Sequence, residues 1–344
     1  MKALIWHKSG VREIVEKPLP KICDDRDVIV KVKLSSICTS DIHITKGFVP
    51  RAVPETALGH EFVGEVIEVG SGIENLKKGD RVAANCITFC GECFFCKRGF
   101  INNCENGGWE LGCRIDGCQA EYVRVPFGDT GLTKLPDNVG YADALFVGDI
   151  LSSGYFGAEL CEIKPDDTVA IIGSGPVGLC SMSCAKIFSA GKIIAIDIDD
   201  SRLDIARKNK LADYFINPLK TDVEKTVKDI TNNHGADGVI EAAGGENSFE
   251  TAWKIARPNA VVAVVAMYES SQILPLPDMY GKNLIFKTGG VDAVHCEKLL
   301  QLISENKLST NFLITHTLPF NDILKGYEIF ESKQDNCIKV AIKY

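Results

Sequence analysis

A glycine-rich segment between an apolar strand and a helix limits the possible folds of this chain more than any other feature. Residues 173–178, Gly-Ser-Gly-Pro-Val-Gly, directly follow the short apolar run 168–172 and fit the pattern G-x-G-x-x-G. Gly173 permits the sharp turn, Gly175 lets the backbone approach a pyrophosphate, and Gly178 allows helix and strand to pack closely. The segment therefore predicts a dinucleotide-binding turn, with the phosphates at the positive end of the helix.

The sequence changes character at about residue 153. Before it, short β-type runs such as 27–34 and 121–125 are separated by Gly, Pro and Asp, which favours a barrel-like β domain. After it, continuous apolar runs alternate with helical patterns, which predicts a doubly wound parallel sheet of the α/β class. A final helix and strand, 297–306 and 338–342, are expected to return to the first domain, because the β/α pattern is complete before them.

Asp197 ends the second strand of the α/β region, nineteen residues after Gly178. A carboxylate there can accept both ribose hydroxyls of NAD and repels the 2′-phosphate of NADP, so we expect NAD as the cofactor. The alternative is a glycine turn in an unrelated α/β domain, with Asp197 as a surface cap. Arg202 either contacts the adenosine ribose or is an ordinary arginine on a surface helix. The predicted cofactor-binding residues are Gly173, Gly175, Pro176, Val177, Gly178, Asp197 and Arg202.

Composition limits the partners of the chain. Its 344 residues suffice for two domains, and 38 basic against 46 acidic residues give a net charge of −8 with no basic run. We therefore expect a small-molecule substrate and neither nucleic acid nor a membrane surface as partner. Fourteen cysteines and no signal peptide indicate a reducing compartment, so we expect a cytoplasmic protein.

Four cysteines form a C-x2-C-x2-C-x7-C run, which indicates a soft tetrahedral ion such as Zn²⁺. Sulfurs separated by a two-residue turn can span adjacent corners of one tetrahedron, and the intervening glycines and asparagines tolerate a tight backbone. Free core thiols or disulfides are the alternative. Four sulfur ligands leave no open corner, so this ion is expected to be structural. The ligands are Cys90, Cys93, Cys96 and Cys104.

A second set of metal-binding residue types lies outside this run. Cys38, His60 with Glu61, and Asp149 occur in three separated turns. A catalytic zinc needs three protein ligands and a free position, which a cysteine, a histidine and a carboxylate could supply. Spacing alone does not bring these residues together. On residue type alone, a buried cysteine or a solitary histidine is more often part of the core.

These motifs together are similar to those of one known family, the zinc-containing medium-chain alcohol dehydrogenases. The segment Gly59-His60-Glu61-x2-Gly64-x5-Gly70 resembles the zinc signature of that family, and the four-cysteine run resembles its structural zinc loop. The resemblance covers essentially the whole chain. It implies a Rossmann NAD-binding domain at 153–292, inserted in a GroES-like β-barrel catalytic domain of residues 1–152 that is completed by 293–344.

Within this resemblance, Cys38, His60 and Asp149 match the three ligands of the catalytic zinc. An aspartate as third ligand is similar to the microbial secondary-alcohol branch and to the glutathione-independent formaldehyde dehydrogenases. Typical NADP-using secondary-alcohol enzymes have a small residue in place of Asp197, and several lack the four-cysteine loop, so their coenzyme is not carried over. Glu61 resembles a carboxylate that binds or exchanges at the zinc in some members. Its alternative role is to orient the site from outside the ligand set.

The resemblance also implies roles for residues around the metal. Ser40 matches the hydroxyl that accepts the alcohol proton, and His43 matches the relay to solvent, with a solvated loop histidine as the alternative. Ser153 matches a hydroxyl near the nicotinamide or caps the following helix. Trp109 lines the substrate pocket or packs as a core aromatic. A zinc ion in this site would lower the pKa of a bound alcohol, whose hydride passes to the nicotinamide.

We therefore expect a zinc- and NAD-dependent dehydrogenase of small secondary alcohols or diols. The alternatives are a polyol, threonine or formaldehyde dehydrogenase of the same family, and a noncatalytic zinc- and NAD-binding protein. The acidic balance disfavours a nucleic-acid-binding zinc module. The resemblance implies a homodimer or homotetramer, for which the strand at 283–287 could supply an edge.

Overall fold

The protein divides into two compact units. A computed structural model describes residues 1–344, with the exception of the side chain of Gln334. The first unit comprises Met1–Ser152 together with Asp292–Tyr344, and the second comprises Ser153–Val291. In the part of the chain that is described, none of the helices is long and apolar enough to cross a lipid bilayer.

Strands outnumber helices in the first unit, whereas the two alternate in the second. The strands are β1 Lys2–Trp6, β2 Arg12–Glu16, β3 Val28–Ser36, β4 Phe62–Val69, β5 Arg81–Ala84, β6 Tyr122–Val125, β7 Leu132–Lys134, β8 Thr168–Ile172, β9 Lys192–Ile196, β10 Tyr214–Ile216, β11 Ala236–Glu241, β12 Ala256–Val264, β13 Ile285–Thr288, β14 Ile314–Pro319 and β15 Lys339–Lys343. The helices are α1 Thr39–Thr45, α2 Gly128–Gly131, α3 Tyr141–Ala144, α4 Ile150–Leu160, α5 Pro176–Ile187, α6 Asp200–Lys208, α7 Val223–Ile230, α8 Ser248–Ile255, α9 Leu276–Met279, α10 Cys296–Ser304 and α11 Ile323–Ser332.

The second unit is built on a parallel sheet with strand order β10-β9-β8-β11-β12-β13. Every residue of β8 is buried, as expected for a central strand of a sheet that is covered on both faces. β9 and β11 pair in parallel with β8 on opposite sides, so the carboxyl ends of these strands lie at one edge. Doubly wound sheets bind nucleotides at this kind of edge. The predicted α/β sheet is confirmed.

The first unit contains a mostly antiparallel sheet with strand order β14-β15-β3-β4-β5-β7, and β6 pairs with β3 outside this path. Its core consists of apolar residues that alternate along the strands, such as Val28, Val30 and Val32 of β3. The closing strand β15 pairs with β3, which joins the C-terminal segment to this unit. This arrangement agrees with the barrel-like β domain expected from the short, interrupted β runs.

Three helices of the second unit, α7, α8 and α9, were not predicted. α7 carries its apolar residues Val223, Val227 and Ile230 at helical spacing, and these residues pack on the core of the unit. Asp222 caps the helix by accepting a hydrogen bond from Lys225 N at 3.0 Å. The signal for α7 was therefore present, but it spans just eight residues with mostly charged neighbours.

Candidate active site

Three turns at the ends of regular elements carry the predicted ligands of the reactive metal. Cys38 follows β3 and is the N-cap of α1. His60 lies shortly before β4, and Asp149 directly precedes α4. Because each residue lies where the chain enters or leaves an element, its backbone is held by the sheet or helix beside it. All three belong to the first unit.

The structure brings these three side chains together. One donor atom from each of Cys38, His60 and Asp149 lies within 4.8 Å of the others. Cys38 Sγ is 3.9 Å, and His60 Nε2 is 3.2 Å, from Asp149 Oδ2. The side chains are enclosed, since His60 is 3% and Asp149 is 13% exposed. A thiolate, an imidazole nitrogen and a carboxylate oxygen are donors that Zn²⁺ prefers, and three of them leave a fourth position open. The donor set therefore fits a zinc ion of the catalytic kind.

A buried carboxylate behind the site orients two of these residues. Asp41 Oδ2 accepts hydrogen bonds from Cys38 N at 2.9 Å and from Gln119 Nε2 at 3.0 Å. Tyr327 donates to Gln119 Oε1 at 2.8 Å, which extends the network to α11. Asp41 Oδ1 lies 3.5 Å from His60 Nδ1, and neither atom has a hydrogen-bond partner among the described residues. If a metal bound Nε2 of His60, the ring proton would be on Nδ1 and would point to the Asp41 carboxylate. Carboxylate–histidine–zinc arrangements have this geometry.

Replacing Asp41 with asparagine is expected to weaken zinc binding at this site by about 10–100-fold. The neutral amide is a weaker acceptor for the Nδ1 proton of His60 and for Cys38 N. Competition between the metal-free protein and a zinc chelator measures the affinity. Asp129→Asn is the matched control, because Asp129 also accepts two backbone N–H groups, from Glu74 and Asn75, but is not among the converging donors. Unchanged zinc affinity in a folded Asp41→Asn protein would contradict the orienting role.

The turn that carries Asp149 packs closely against the chain that follows β5. Cys86 N donates to the carbonyl of Gly148 at 3.0 Å. A Cβ at Gly148 would overlap the carbonyl oxygen of Ala84, so a glycine is required for this approach. The Cys86 side chain is among the groups that lower the pKa of the Asp149 carboxyl. Burial raises the pKa of the Cys86 thiol well above its usual value, so this thiol is a neutral neighbour of the carboxylate.

The imidazole and the carboxylate of the site shift each other's ionisation. Burial lowers the pKa of His60, but the hydrogen bond with Asp149 and the neighbouring Asp41 carboxylate outweigh burial and raise the pKa well above its usual value. Burial raises the pKa of Asp149, but the hydrogen bond and charge of His60 bring it below its usual range. The site therefore stabilises a positive charge next to the ionised Asp149 carboxylate. A bound divalent cation would be stabilised there for the same reason.

Glu61 lies outside the group of converging donor atoms. Its Oε2 is ion-paired with Lys339 Nζ and accepts a hydrogen bond from the Ser36 hydroxyl. Both Glu61 and Lys339 are buried. Burial lowers the pKa of Lys339, but the Glu61 carboxylate outweighs burial and raises it above its usual value. In this arrangement Glu61 contacts Lys339 and Ser36 and is not one of the donor atoms that converge on the candidate metal position.

The two residues predicted to move a proton lie on α1. Ser40 Oγ is 3.7 Å from Cys38 Sγ, so the hydroxyl is adjacent to a predicted ligand. His43 follows three residues later, and residues at this spacing share one face of a helix. Its ring lies edge-on to Phe48, with ring centroids 6.0 Å apart. The helix therefore places a hydroxyl next to the metal donors and a histidine one turn further on.

Trp109 contacts the site directly. Its ring is edge-on to His60 with centroids 5.6 Å apart, and the Arg51 guanidinium lies over its face at 5.4 Å. Trp109 also packs against an apolar cluster that includes Ile42, as the core interpretation expects, and its role in a substrate pocket stays a prediction. Ser153 lies on α4 in the second unit and is half-buried.

The four-cysteine run folds into a compact cluster in the first unit. The Sγ atoms of Cys90, Cys93, Cys96 and Cys104 lie within 4.8 Å of one another, and each of these cysteines is a free thiol. Short 3-10 turns at Cys96–Arg98 and Ile101–Asn103 wrap the cluster. Backbone N–H groups, that of Cys96 first, lower the pKa of the Cys93 thiol to about 6. Four converging sulfurs, one of them easily ionised, fit a closed structural zinc site.

The glycine segment of the second unit forms the turn between β8 and α5. Gly173 has a φ of +95°, in the left-handed region that favours glycine. Gly175 is the N-cap of α5, and Pro176 and Val177 begin its first turn. A Cβ at Gly178 would overlap the carbonyl oxygen of Gly173, so helix and turn could not approach this closely with any other residue.

Asp197 follows β9 and is fixed beside this turn. Its carboxylate accepts hydrogen bonds from Ser174 N at 2.6 Å and from Asp199 N at 2.9 Å, and the residue is 8% exposed. Arg202 lies on α6, with its Nε 3.8 Å from Asp199 Oδ2. Its Nη1 would be 3.8 Å from a Cβ added at Gly175. The structure thus brings both predicted residues to the glycine turn, the carboxylate more rigidly than the arginine.

Several residues around the site were not identified from the sequence, among them Asp41, Gln119 and Lys339. Asp41 is the third helical residue after the N-cap Cys38, in the pattern of a capping box, and this is the signal that could have found it. Gln119 and Lys339 carry no comparable signal. A lysine at the start of a short strand is normally exposed, and its burial follows from tertiary packing alone.

Comparisons with known proteins agree with this fold and site. The family model described as Alcohol dehydrogenase GroES-like domain matches residues 24–137, and the model described as Zinc-binding dehydrogenase matches residues 176–305. The chain is 35% identical over 340 residues to Zinc-type alcohol dehydrogenase B from Aspergillus flavus, a match that covers 96% of this chain and 79% of that protein. It is 32% identical over 337 residues to the NADP-dependent isopropanol dehydrogenase of Thermoanaerobacter brockii, covering 95% of this chain and 94% of that protein.

The fold is also similar to that of solved alcohol dehydrogenases. The alcohol dehydrogenase TADH from Thermus sp. ATN1 superimposes with a TM-score of 0.93 at 35% identity, covering 100% of this chain and 99% of that structure. The chain therefore belongs to the zinc-containing medium-chain alcohol dehydrogenase family. It is an enzyme of the alcohol dehydrogenase class, with the expected GroES-like and Rossmann domains.

Proposed function

We propose that the protein catalyses the reversible reaction of a small secondary alcohol or diol with NAD⁺ to give a carbonyl compound, NADH and a proton. The observation that carries this proposal is the convergence of Cys38, His60 and Asp149 donor atoms within 4.8 Å in an enclosed site. This donor set leaves a position for the substrate oxygen. The similarity to an isopropanol dehydrogenase supports a secondary alcohol as substrate.

Zinc, when bound, would supply a Lewis acid that lowers the pKa of the alcohol, and NAD⁺ would supply the hydride acceptor. The residues of the chain orient the substrate and move its proton. We assign Ser40 as the acceptor of the hydroxyl proton and His43, on the same face of α1, as the group that passes it to solvent. Trp109 is proposed to wall the substrate pocket, and Ser153 to lie near the nicotinamide.

NAD is proposed over NADP because of the environment of Asp197. Two backbone N–H groups, from Ser174 and Asp199, hold this carboxylate beside the glycine turn. A 2′-phosphate at this position would meet a fixed negative charge, whereas ribose hydroxyls can donate to it. A 32% identical relative is NADP-dependent, so family membership alone does not decide the coenzyme.

Replacing Asp197 with alanine is expected to reduce the preference for NAD over NADP by about 10–100-fold. The change removes charge-assisted hydrogen bonds of about 1.5–3 kcal/mol to the ribose, and it also removes the repulsion of a 2′-phosphate. The ratio of kcat/KM for NAD⁺ and NADP⁺ with one alcohol measures the preference. Asp229→Ala, at an exposed aspartate of the same unit, is the control and should leave the ratio unchanged. An unaltered ratio in Asp197→Ala would argue against NAD selection by this carboxylate.

The proposed function is tested by metal analysis and by a substrate panel. We expect about two zinc ions per chain, one for each converging donor group, and NADH formation with 2-propanol and 2,3-butanediol. Clear preference for sorbitol, threonine or formaldehyde would instead support the alternative substrates. Two bound zinc ions without turnover of any member of the panel would contradict the proposed activity.

We also propose that the protein assembles as a homodimer or homotetramer through its NAD-binding sheet. β13 is an edge strand, and its residue Ile285 is 48% exposed. Leu276 and Tyr280, shortly before it in the chain, are also exposed. An apolar, unpaired strand edge is a template for pairing with another chain. Light scattering measures the assembly, and a monomer at micromolar concentration would contradict this proposal.

The expected cytoplasmic location is kept as a proposal. Its support is the high cysteine content of the sequence, fourteen residues in all. Free thiols persist in reducing compartments and tend to be oxidised outside them. Cell fractionation tests this location, and recovery in a secreted fraction would contradict it.

A further inference from the structure

A fully buried lysine lies beside the candidate metal site. Lys339, at the start of β15, is 1% exposed along its side chain. Its Nζ donates to the carbonyl of Ile37 at 3.0 Å and forms an ion pair with Glu61, whose side chain is 0% exposed. The Phe146 ring covers the ammonium group at 5.5 Å. A lysine buried this deeply is rare unless its charge has a partner.

The partner of this lysine is a residue that could itself bind a metal. Glu61 directly follows His60 in the chain. Its Oε2 is shared by Lys339 and the Ser36 hydroxyl, whereas its Oε1 has no hydrogen-bond partner among the described residues. A buried carboxylate with one unsatisfied oxygen is costly unless a cation compensates it. Lys339 provides that cation in this structure.

The charges of the site explain why a second cation is needed. Thiolate Cys38 and carboxylate Asp149 balance the charge of one divalent ion, so that ion leaves the negative charge of Glu61 uncompensated. The attraction between a metal ion and an adjacent carboxylate is strong in an enclosed site. Without Lys339, the metal would be the nearest cation for Glu61, and its free oxygen could fill the open coordination position.

We propose that Lys339 is a positioning residue that holds Glu61 outside the ligand set and thereby keeps one coordination position open for the substrate. This inference rests on the proposed metal site of Cys38, His60 and Asp149. Lys339 acts through Glu61 and does not contact the reacting atoms. Its removal should therefore change metal coordination before it changes any other property of the site.

Cadmium-113 NMR of the full chain, reconstituted with ¹¹³Cd²⁺ alone, tests this role without measuring activity. The four-cysteine cluster and the mixed sulfur, nitrogen and oxygen site should give separate resonances, and the first serves as an internal indicator of folding. Imidazole, a monodentate metal ligand, is then titrated to probe the open position. In the wild-type protein we expect imidazole to shift the mixed-site resonance only.

The variant Lys339→Met should shift the mixed-site resonance towards the frequency expected for an added oxygen ligand. Its imidazole affinity should fall by about tenfold or more, because imidazole would have to displace the Glu61 carboxylate from the coordination position. The double variant Lys339→Met with Glu61→Gln should restore the wild-type resonance and imidazole response, because no carboxylate is left to bind. Lys343→Met, at an exposed lysine of the same strand, is the matched control and should change neither property.

The outcomes separate this inference from the proposed function. Two resonances in the wild-type protein and an unchanged mixed-site resonance in Lys339→Met would overturn the role of Lys339 alone. A missing mixed-site resonance in the wild-type protein would overturn the metal site and the function with it. If Lys339→Met fails to fold, Glu61→Gln decides the question: an outer Glu61 predicts a wild-type resonance, and a shifted resonance would identify Glu61 as a ligand and overturn the inference.

Discussion

Replacing Asp149 with asparagine is expected to remove the metal from the mixed-ligand site and to slow alcohol oxidation by about a thousandfold or more. The variant loses the one carboxylate that joins Cys38 and His60 in the group of converging donors. Lewis-acid stabilisation by a metal ion contributes several kcal/mol, and each 1.4 kcal/mol corresponds to about a tenfold change in rate. Metal analysis and steady-state kinetics with 2-propanol measure the two effects.

The Asp149 variant should keep the metal of the four-cysteine cluster, which contains no carboxylate. A fall from about two zinc ions to one per chain, with a folded protein, is therefore the expected pattern. Asp137→Asn is the control, because Asp137 is an exposed aspartate of the same unit. Wild-type turnover in a folded Asp149→Asn protein would refute the assignment of this residue as a ligand.

The order of elements in the second unit could be predicted from the sequence for a clear physical reason. Strands buried on both faces are mostly apolar, as β8 is at four of its five positions, and such runs stand out between turns and helices. The turn at Gly173 and Gly178 was also predictable, because a positive φ and a close helix approach both require glycine. Helix α7 was missed because it spans just eight residues, fewer than the window in which apolar periodicity is normally recognised, although its three apolar residues stand at helical spacing.

The candidate metal site was less accessible to sequence reasoning. Cys38, His60 and Asp149 are far apart in the chain, and their spacing contains no information on their convergence. Family resemblance suggested the set, and the structure places the donor atoms together. The four-cysteine cluster differs because its ligands are local in sequence, so that spacing alone indicated one tetrahedral site.

The partners that support the site depend on tertiary packing. Lys339 lies in a strand that pairs with β3, and this pairing, which sequence periodicity does not specify, buries its ammonium group beside Glu61. The same applies to Gly148, whose importance follows from the proximity of Ala84. Conflicts with local expectation, such as a buried lysine in a strand, are typical of functional sites. The unexpected burial of Lys339 is thus itself a pointer to the site.

Replacing Gly178 with alanine is expected to weaken NADH binding by about tenfold or more and to destabilise the second unit by about 1–3 kcal/mol. The added Cβ would overlap the carbonyl oxygen of Gly173, a backbone atom that cannot rotate away. Either the first turn of α5 moves from β8, or the glycine turn that should receive the pyrophosphate changes shape. Fluorescence titration with NADH and thermal denaturation measure the two effects.

Gly281→Ala is the matched control for this variant, because a Cβ at Gly281 has no neighbouring atom within 4 Å. The control should bind NADH normally, since alanine adds a methyl group there without a clash. A loss of stability in Gly178→Ala with unchanged NADH affinity would mean that the glycine serves packing alone. Loss of affinity that exceeds the loss of stability would instead connect the close approach of helix and turn to the phosphate site, as the geometry of the β8–α5 turn implies.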